Sequence, residues 1–220
     1  MTPELRLYED TFTGGATTAA SLPAMARMIY VVHGGVIIDG RRRGDGEVWH
    51  GEGGVPLQAG DDGVTLWRFE LAPSGAPEGT AAGAGIRSHA KLAAALQTLL
   101  PAGDLLLRGD SVAFAAGGCA YTHVHQGPGI RCLIEGGIRI DTHGRCTSYG
   151  PGGAWFESGP EPVFAQAAMD RGAKFIRVMI LPRALLGKSS IRYLNEADKD
   201  KPKSQKYQVF VDAPIAFKKE

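Results

Sequence analysis

The chain repeats itself, and an internal repeat constrains a fold more than any other sequence feature, because each copy must bury the same kind of core. The segment IYVVHGGVIIDG (29–40) aligns with RCLIEGGIRIDT (131–142) at an offset of 102. Gly34, Gly35 and Asp39 fall on Gly136, Gly137 and Asp141, and Val36 and Ile38 fall on Ile138 and Ile140. The next segment, GDGEVWHGEGGVPLQA (44–59), aligns with GPGGAWFESGPEPVFA (150–165) at an offset of 106. There Gly44, Gly46, Trp49, Gly53, Pro56 and Ala59 meet Gly150, Gly152, Trp155, Gly159, Pro162 and Ala165. The change of offset places four extra residues in the turn of the second copy.

Each copy reads the same way physically. An apolar strand ends at a Gly-Gly pair. A second strand follows with alternating side chains, Val36-Ile37-Ile38 or Ile138-Arg139-Ile140, then a polar turn, a Gly-rich segment before a tryptophan, and a Pro-containing strand. Short strands with frequent turns predict an all-β fold, a sandwich or barrel. No Gly-x-Gly-x-x-Gly joins a strand to a helix and there is no βαβ rhythm, so a doubly wound sheet is excluded. The pattern divides the chain into a first barrel (1–75), a linker with leading strands (76–100), a second barrel (101–185) and a C-terminal extension (186–220). Residues 72–88 are rich in Ala, Gly and Pro and read as linker. The stretch after them is open to two readings. Leu92, Leu96, Leu99 and Leu100 have helical spacing, stopped by Pro101, whereas the repeat asks for strands. LLLR (105–108) and SVAFA (111–115) read as short strands. The extension is polar through 195–206, a solvated loop, and extended again over 207–215. That last strand needs a partner, in its own barrel or in a neighbouring subunit.

Composition narrows the function. The charge sum, 24 minus 23, is +1, so neither a nucleic-acid backbone nor an anionic membrane is an expected partner. No apolar run approaches the roughly 18 residues of a membrane span. The opening MTPELRLYEDTF lacks a basic-then-apolar signal, which makes a cytoplasmic location the expectation. Cys119, Cys132 and Cys146 are too few for a disulfide framework and match no zinc spacing; they read as ordinary thiols.

The sharpest local signal is Tyr121-Thr122-His123-Val124-His125. In a strand, residues two apart share a face, so the rings of His123 and His125 point the same way. Two neutral imidazoles on one barrel wall can hold a metal ion; equally, they can be two hydrogen-bonded or partly exposed histidines. Gly117, five residues, His123-Val124-His125, a Gly-Pro-Gly turn and IRCLIEGGIRI together resemble the first conserved motif of the cupin superfamily, and YGPGGAWFESGPEPVFA resembles its second. The resemblance implies two jelly-roll (double-stranded β-helix) barrels in one chain, a bicupin. It implies a divalent ion (Fe, Mn, Ni or Zn) at His123 and His125, but the motif-one glutamate falls on Gly129 and the motif-two histidine on Val163. Two histidines alone leave an open site, to be completed by substrate, water or another side chain. Tyr121, in register with the pair, is the nearest candidate, with Gln126, His143 and Glu157 behind it. The first copy has no histidine before Ile29 and is expected to hold no metal.

If position 129 faces inward, so do Arg131 and Leu133. A buried arginine requires an anion, either a substrate carboxylate or enolate that it clamps, or an internal acid. Trp49 and Trp155 occupy equivalent places and read as packing wedges, with Phe156 and Glu157 at the mouth of the second barrel. The expected function is a metal-dependent cupin enzyme (oxygenase, isomerase or decarboxylase) acting on a small organic acid or diketone-like molecule. His123 and His125 would bind the ion, Arg131 the substrate anion, and Tyr121 would donate a hydrogen bond or proton. The alternative is a non-catalytic bicupin that binds a small ligand or serves as a dimeric scaffold. Barrel edges and the strand at 207–215 predict a homodimer.

Overall fold

The structure, a computed structural model, describes residues 2–97 and 104–217. Strands account for 59% of the described residues and helix for 3%, an all-β fold. Among the described residues no helix is long and apolar enough to cross a membrane. The chain divides into two compact units, Met1–Thr98 with Ile215–Glu220, and Leu99–Pro214.

In the first unit, β1 (Glu4–Phe12), β2 (Arg27–Ile38), β3 (Arg41–Gly44), β4 (Val48–Gly51), β5 (Gln58–Ala72) and β6 (Ile86–Ala95) form a six-stranded sheet in the order β3-β2-β5-β1-β6, with β4 paired to β2. The stretch with helical leucine spacing is thus β6 as far as Ala95. Its ladder with β1, from Glu4↔Ala95 to Phe12↔Ile86, overrides local propensity. Leu96 is buried just beyond it, and Leu99, Leu100 and Pro101 lie outside the described residues. The inward faces close on an apolar cluster that includes Phe12, Ile29, Val31, Val36, Trp49 and Leu66.

In the second unit, β7 (Leu105–Phe114), β8 (Cys119–His125), β9 (Gly129–Gly136), β10 (Ile138–Thr142), β11 (Arg145–Tyr149), β12 (Ala154–Glu157), β13 (Val163–Ala167), β14 (Ala173–Pro182), β15 (Ile191–Tyr193) and β16 (Lys206–Ile215) form two five-stranded sheets. Their orders are β11-β10-β13-β8-β15 and β12-β9-β14-β7-β16. The two short strands expected over 105–115 are one, β7, because β14 pairs with it without interruption from Leu105↔Pro182 to Phe114↔Ala173. Both strands of the C-terminal extension are hydrogen-bonded into this unit, β15 on β8 and β16 on β7. Val112, Phe114, Leu133, Ile140, Trp155 and Phe175 are among the residues of its apolar cluster.

The repeated Gly-Gly pair marks the same corner in both units. Gly34 has φ +92° and Gly136 φ +85°, a region that disfavours side chains. A Cβ on either would overlap a carbonyl oxygen, that of Gly63 in β5 or that of Gly172 just before β14. At this corner the β2–β5 ladder jumps from Gly34↔Val64 to Val36↔Ala59, and in the second unit the chain separates into β9 and β10. The corner turns each strand from one wall of its barrel to the other.

Candidate functional site

The apolar cluster fills only part of the second barrel. Alternation carries the next inward positions of five strands to one level: His123 and His125 on β8, Arg131 on β9, Glu157 on β12, Asp110 on β7 and Arg177 on β14. All six are at most 6% exposed. With Phe114, Trp155, Val163 and Phe175, the histidines, Arg131, Glu157 and Arg177 line an inner cavity of about 20 Å³, room for about one water molecule.

The histidine pair therefore faces inward, and Tyr121 does not join it. On β8, Ala120 pairs with Ala165 and His123 with Val163, so three steps on β8 match two on β13. This bulge breaks the two-residue alternation between Tyr121 and His123. The Tyr121 ring is half-buried beneath the Lys201 ammonium, 4.6 Å away, and is not among the residues lining the inner cavity. Gln126 and His143 are exposed. Glu157 is the one of the three further candidates that points in. Trp155 is in the core, so a residue two further on must share its face; that alternation was the signal available in the sequence.

The proton positions follow from the partners. His123 Nδ1 lies 2.7 Å from the Tyr121 carbonyl oxygen, which can only accept, so Nδ1 carries the proton and Nε2 presents a lone pair inward. His125 Nε2 donates to His123 Nε2 at 3.3 Å and stands 3.3 Å from Glu157 Oε2. The Ser190 hydroxyl reaches His125 Nδ1 at 3.5 Å. Burial, reinforced by the charge of Arg131, pushes the His125 pKa down to about 3, and burial lowers that of His123 as well. Both rings are neutral at ordinary pH.

Arg131, 1% exposed, finds the internal acid. Its Nη2 is 2.6 Å from Glu157 Oε2, and its Nη1 donates to the Gly129 carbonyl at 2.7 Å. Glu157 also accepts from the Trp155 indole at 2.9 Å. Burial raises the Glu157 pKa, but the Arg131 charge and the His125 and Trp155 hydrogen bonds outweigh it, and the group ends well below the usual carboxylate range. Burial brings Arg131 down to about 10, still protonated. Directly across the β9–β14 ladder from Arg131 stands Arg177. Two like charges face to face each need an acid. Arg177 has one in Asp110, gripped at 2.5 and 2.9 Å. Sequence reasoning missed Arg177 and Asp110, whose meeting depends on the pairing of β7 with β14.

The residues can be tested against the divalent ion that the cupin motifs imply. Gly129 has no space for a side chain, since a Cβ there would lie 2.6 Å from the Val178 carbonyl oxygen. Val163, at the motif-two histidine position, is apolar and pairs with His123. Glu157, opposite Gly129 in the β12–β9 ladder, brings a carboxylate back, but Arg131 occupies its inward oxygen. Among the described residues no group of three His, Cys, Asp or Glu is arranged to hold a metal. Charge points the same way. Arg131 and Arg177 already balance Glu157 and Asp110, and a divalent cation would add two uncompensated buried charges. The donor set as arranged does not fit a resident divalent ion.

A second, larger cavity of about 610 Å³ adjoins this cluster, sharing Arg177, Ile191 and Tyr207 with it as lining. Its walls come from β7, β14 and the C-terminal extension: Arg108, Asp110, Lys188, Ser190, Tyr193, Lys203, Val209 and Asp212. Four cations (Arg108, Arg177, Lys188 and Lys203) face two carboxylates, an excess of two positive charges.

No family model and no curated protein sequence matches the chain. Solved structures do. The oxalate decarboxylase of Lactobacillus farciminis, in a formate complex, superposes with a TM-score of 0.61 at 15% identity, over 90% of this chain and 82% of that one. A deletion mutant of Bacillus subtilis oxalate decarboxylase gives 0.60 at 14% identity, over 90% and 73%. A B. subtilis structure concerned with the Mn(II) centers of that enzyme gives 0.60 at 14%, again over 90% and 73%. These neighbours are bicupins, and identity at this level carries the fold alone. With its repeated glycine corner and its two barrels, the chain is a bicupin by fold.

Proposed function

We propose that the second barrel binds a small organic acid as its anion, seated in the outer cavity with the carboxylate on Arg177. The observation that carries this reading is the state of Arg177. Its Nε and Nη2 hold Asp110, while Nη1 has no partner among the described residues, and the side chain lines the outer cavity. A guanidinium nitrogen left over at the floor of a positively charged cavity is a carboxylate donor. The volume, about 610 Å³, lies in the range of small-molecule sites. Ile191, Tyr193, Tyr207 and Val209 supply apolar and aromatic wall, so the favoured ligand is an acid with an apolar body rather than a bare dicarboxylate.

The competing reading is a metal-dependent oxygenase, isomerase or decarboxylase working in the inner cavity. It draws on the convergence of His123 Nε2, His125 Nε2 and Glu157 Oε2, and on the Mn(II) centers of the neighbours. Against it stands the ion pair of Arg131 with Glu157.

The test is calorimetric titration with aromatic and aliphatic monocarboxylates beside their uncharged amides. Carboxylates bind and amides do not, and the Arg177→Met/Asp110→Asn double variant, which removes the pair without leaving a buried charge, loses the binding. Equal binding of acid and amide, or binding that survives the double variant, overturns the proposal.

A further inference from the structure

We infer that the Arg131 guanidinium is the resident cation of the second barrel, held by the Glu157 carboxylate and the Gly129 carbonyl at the spot where a divalent ion would otherwise sit. Three polar atoms surround this spot, two of them acceptors (His123 Nε2 and Glu157 Oε2); His125 Nε2 becomes the third only when its proton shifts to Nδ1, beside the Ser190 hydroxyl. His123 Nε2 and His125 Nε2 are 3.3 Å apart, and His125 Nε2 and Glu157 Oε2 are again 3.3 Å apart. An ion with donors at about 2.0–2.1 Å in tetrahedral geometry would space those donors by about 3.3–3.4 Å. The His123 ring is oriented by its Nδ1 bond to a backbone carbonyl, as the ring of a metal-ligating histidine commonly is. The residue types are those of a two-histidine, one-carboxylate site; as arranged they hold no ion, because Arg131 engages the carboxylate and His125 Nε2 carries a proton.

Arg131 is built into this place by the local sequence. Gly129 admits no side chain, and Arg131 Nη1 lies 3.0 Å from where a Cβ at 129 would stand. The guanidinium folds back over the glycine, anchored on the Gly129 carbonyl, and its Nη2 meets the carboxylate that β12 delivers opposite. The side chain is 1% exposed, so it has no water-filled alternative position. Its charge completes a neutral set with Glu157, Arg177 and Asp110. Removing that charge leaves the set at −1, with Glu157 free to join the two imidazoles.

The experiment compares the full-length protein with Arg131→Met, an unbranched, uncharged replacement. Each is titrated with Mn²⁺, followed by EPR of the free ion, and with Co²⁺, followed by visible absorption. The unmodified protein shows no saturable binding that depends on His123 and His125. Arg131→Met takes up one ion per chain, tighter by about 100-fold or more, and loses it when His123→Ala or Glu157→Gln is added. The inference falls if the unmodified protein binds an ion stoichiometrically and the His123→Ala/His125→Ala variant does not. It falls equally if Arg131→Met folds and gains nothing. Should Arg131→Met fail to fold, the titration of the unmodified protein with its double-histidine control decides the matter alone, because resident Arg131 and a saturable ion at those histidines exclude each other.

Discussion

In the first barrel Arg68 faces Tyr8 across the β1–β5 ladder, four residues beyond the Phe12↔Val64 pair; in the second, Arg177 faces Asp110 across β7–β14, four residues beyond Phe114↔Ala173. The two arginines are equivalent, and their surroundings are not. Arg68 is fully buried. It holds Asp10 at 2.6 and 3.2 Å, Glu70, and the Gly79 carbonyl at 2.7 Å, with its guanidinium 4.4 Å over the Tyr8 ring. Arg177 likewise lies over a tyrosine ring, Tyr207 at 5.7 Å, but hydrogen-bonds only Asp110 and keeps a nitrogen for the cavity. A second equivalent pair, Arg6 and Arg108, six residues before Phe12 and Phe114, ties down the crossing segment in each barrel. Arg6 donates to the carbonyls of Ala76 and Pro77, and Arg108 to those of Leu185 and Lys188. In the first barrel the segment then descends to the buried arginines through Gly79; in the second it leaves a cavity of about 610 Å³. One arginine scaffold gives a plug or a pocket according to the loop laid across it.

The largest effect should come from breaking the plugged network. Glu70 is the acid of Arg27, at 2.5 Å, and shares Arg68 with Asp10. Glu70→Ala leaves the fully buried Arg27 guanidinium without an acid and should cost about 3–5 kcal/mol of the first barrel's stability. Asp110→Ala strips Arg177 of its partner beside a cavity that admits water, and should cost about half as much or less. Denaturant unfolding, with hydrogen exchange to say which barrel opens, measures both. Equal losses would break the comparison.

Acid should separate the barrels next. The folded-state pKa of His125 is near 3, below its unfolded value of about 6.5, so between these limits the unfolded chain binds the extra proton. Stability is present above pH 6.5 and is lost as pH falls, by about 2 kcal/mol at pH 5. His123, also lowered by burial, acts in the same direction. Glu157, held below the usual carboxylate range, contributes stability that is complete above that range and is lost only as pH falls into and below it. In the first barrel His50 is only half-buried and its shift is set by burial with Glu52 opposing, so the effect there is smaller. Hydrogen exchange at pH 7 and pH 5 should show the second barrel loosening first. The reverse order would remove His125 as the cause.

A smaller, local change sharpens the contrast. A Cβ on Gly79 would lie 2.8 Å from Glu70 Oε2, and Glu70 is pinned by two arginines. Gly79→Ala should cost the first barrel about 1–3 kcal/mol through overpacking, with no change in the second. A neutral outcome would mean that the plug is loose.

How far the sequence discloses this contrast depends on which interactions are local. The repeat, the glycine corners and the inward set of His123, His125, Arg131 and Leu133 follow from alternation within one strand. Tyr121 was misread because alternation fails at a bulge, and a bulge is created by the partner strand. Arg177, Asp110 and the meeting of Glu157 with Arg131 depend on ladders between distant segments, which one sequence does not reveal. The Ala-, Gly- and Pro-rich stretch 72–88 read as linker because a plug that works through the backbone oxygens of Ala76, Pro77 and Gly79 needs no informative side chains.

The least disruptive prediction bears on the pocket alone. Lys188 and Lys203 line the outer cavity and are exposed, Lys203 with its ammonium 4.9 Å over the Tyr193 ring. Exposed lysines contribute little to folding, so Lys188→Ala/Lys203→Ala should leave unfolding within about 0.5 kcal/mol of the parent. The same change cancels the cavity's excess of two positive charges. Carboxylate affinity should fall several-fold at low ionic strength, and the difference should shrink in salt, because exposed charges act through a screened field. Loss of affinity with unchanged salt dependence would shift the lysines from field to direct contact. No loss would leave Arg177 as the anchor, its Nη1 open to the pocket where all three nitrogens of the equivalent Arg68 are engaged.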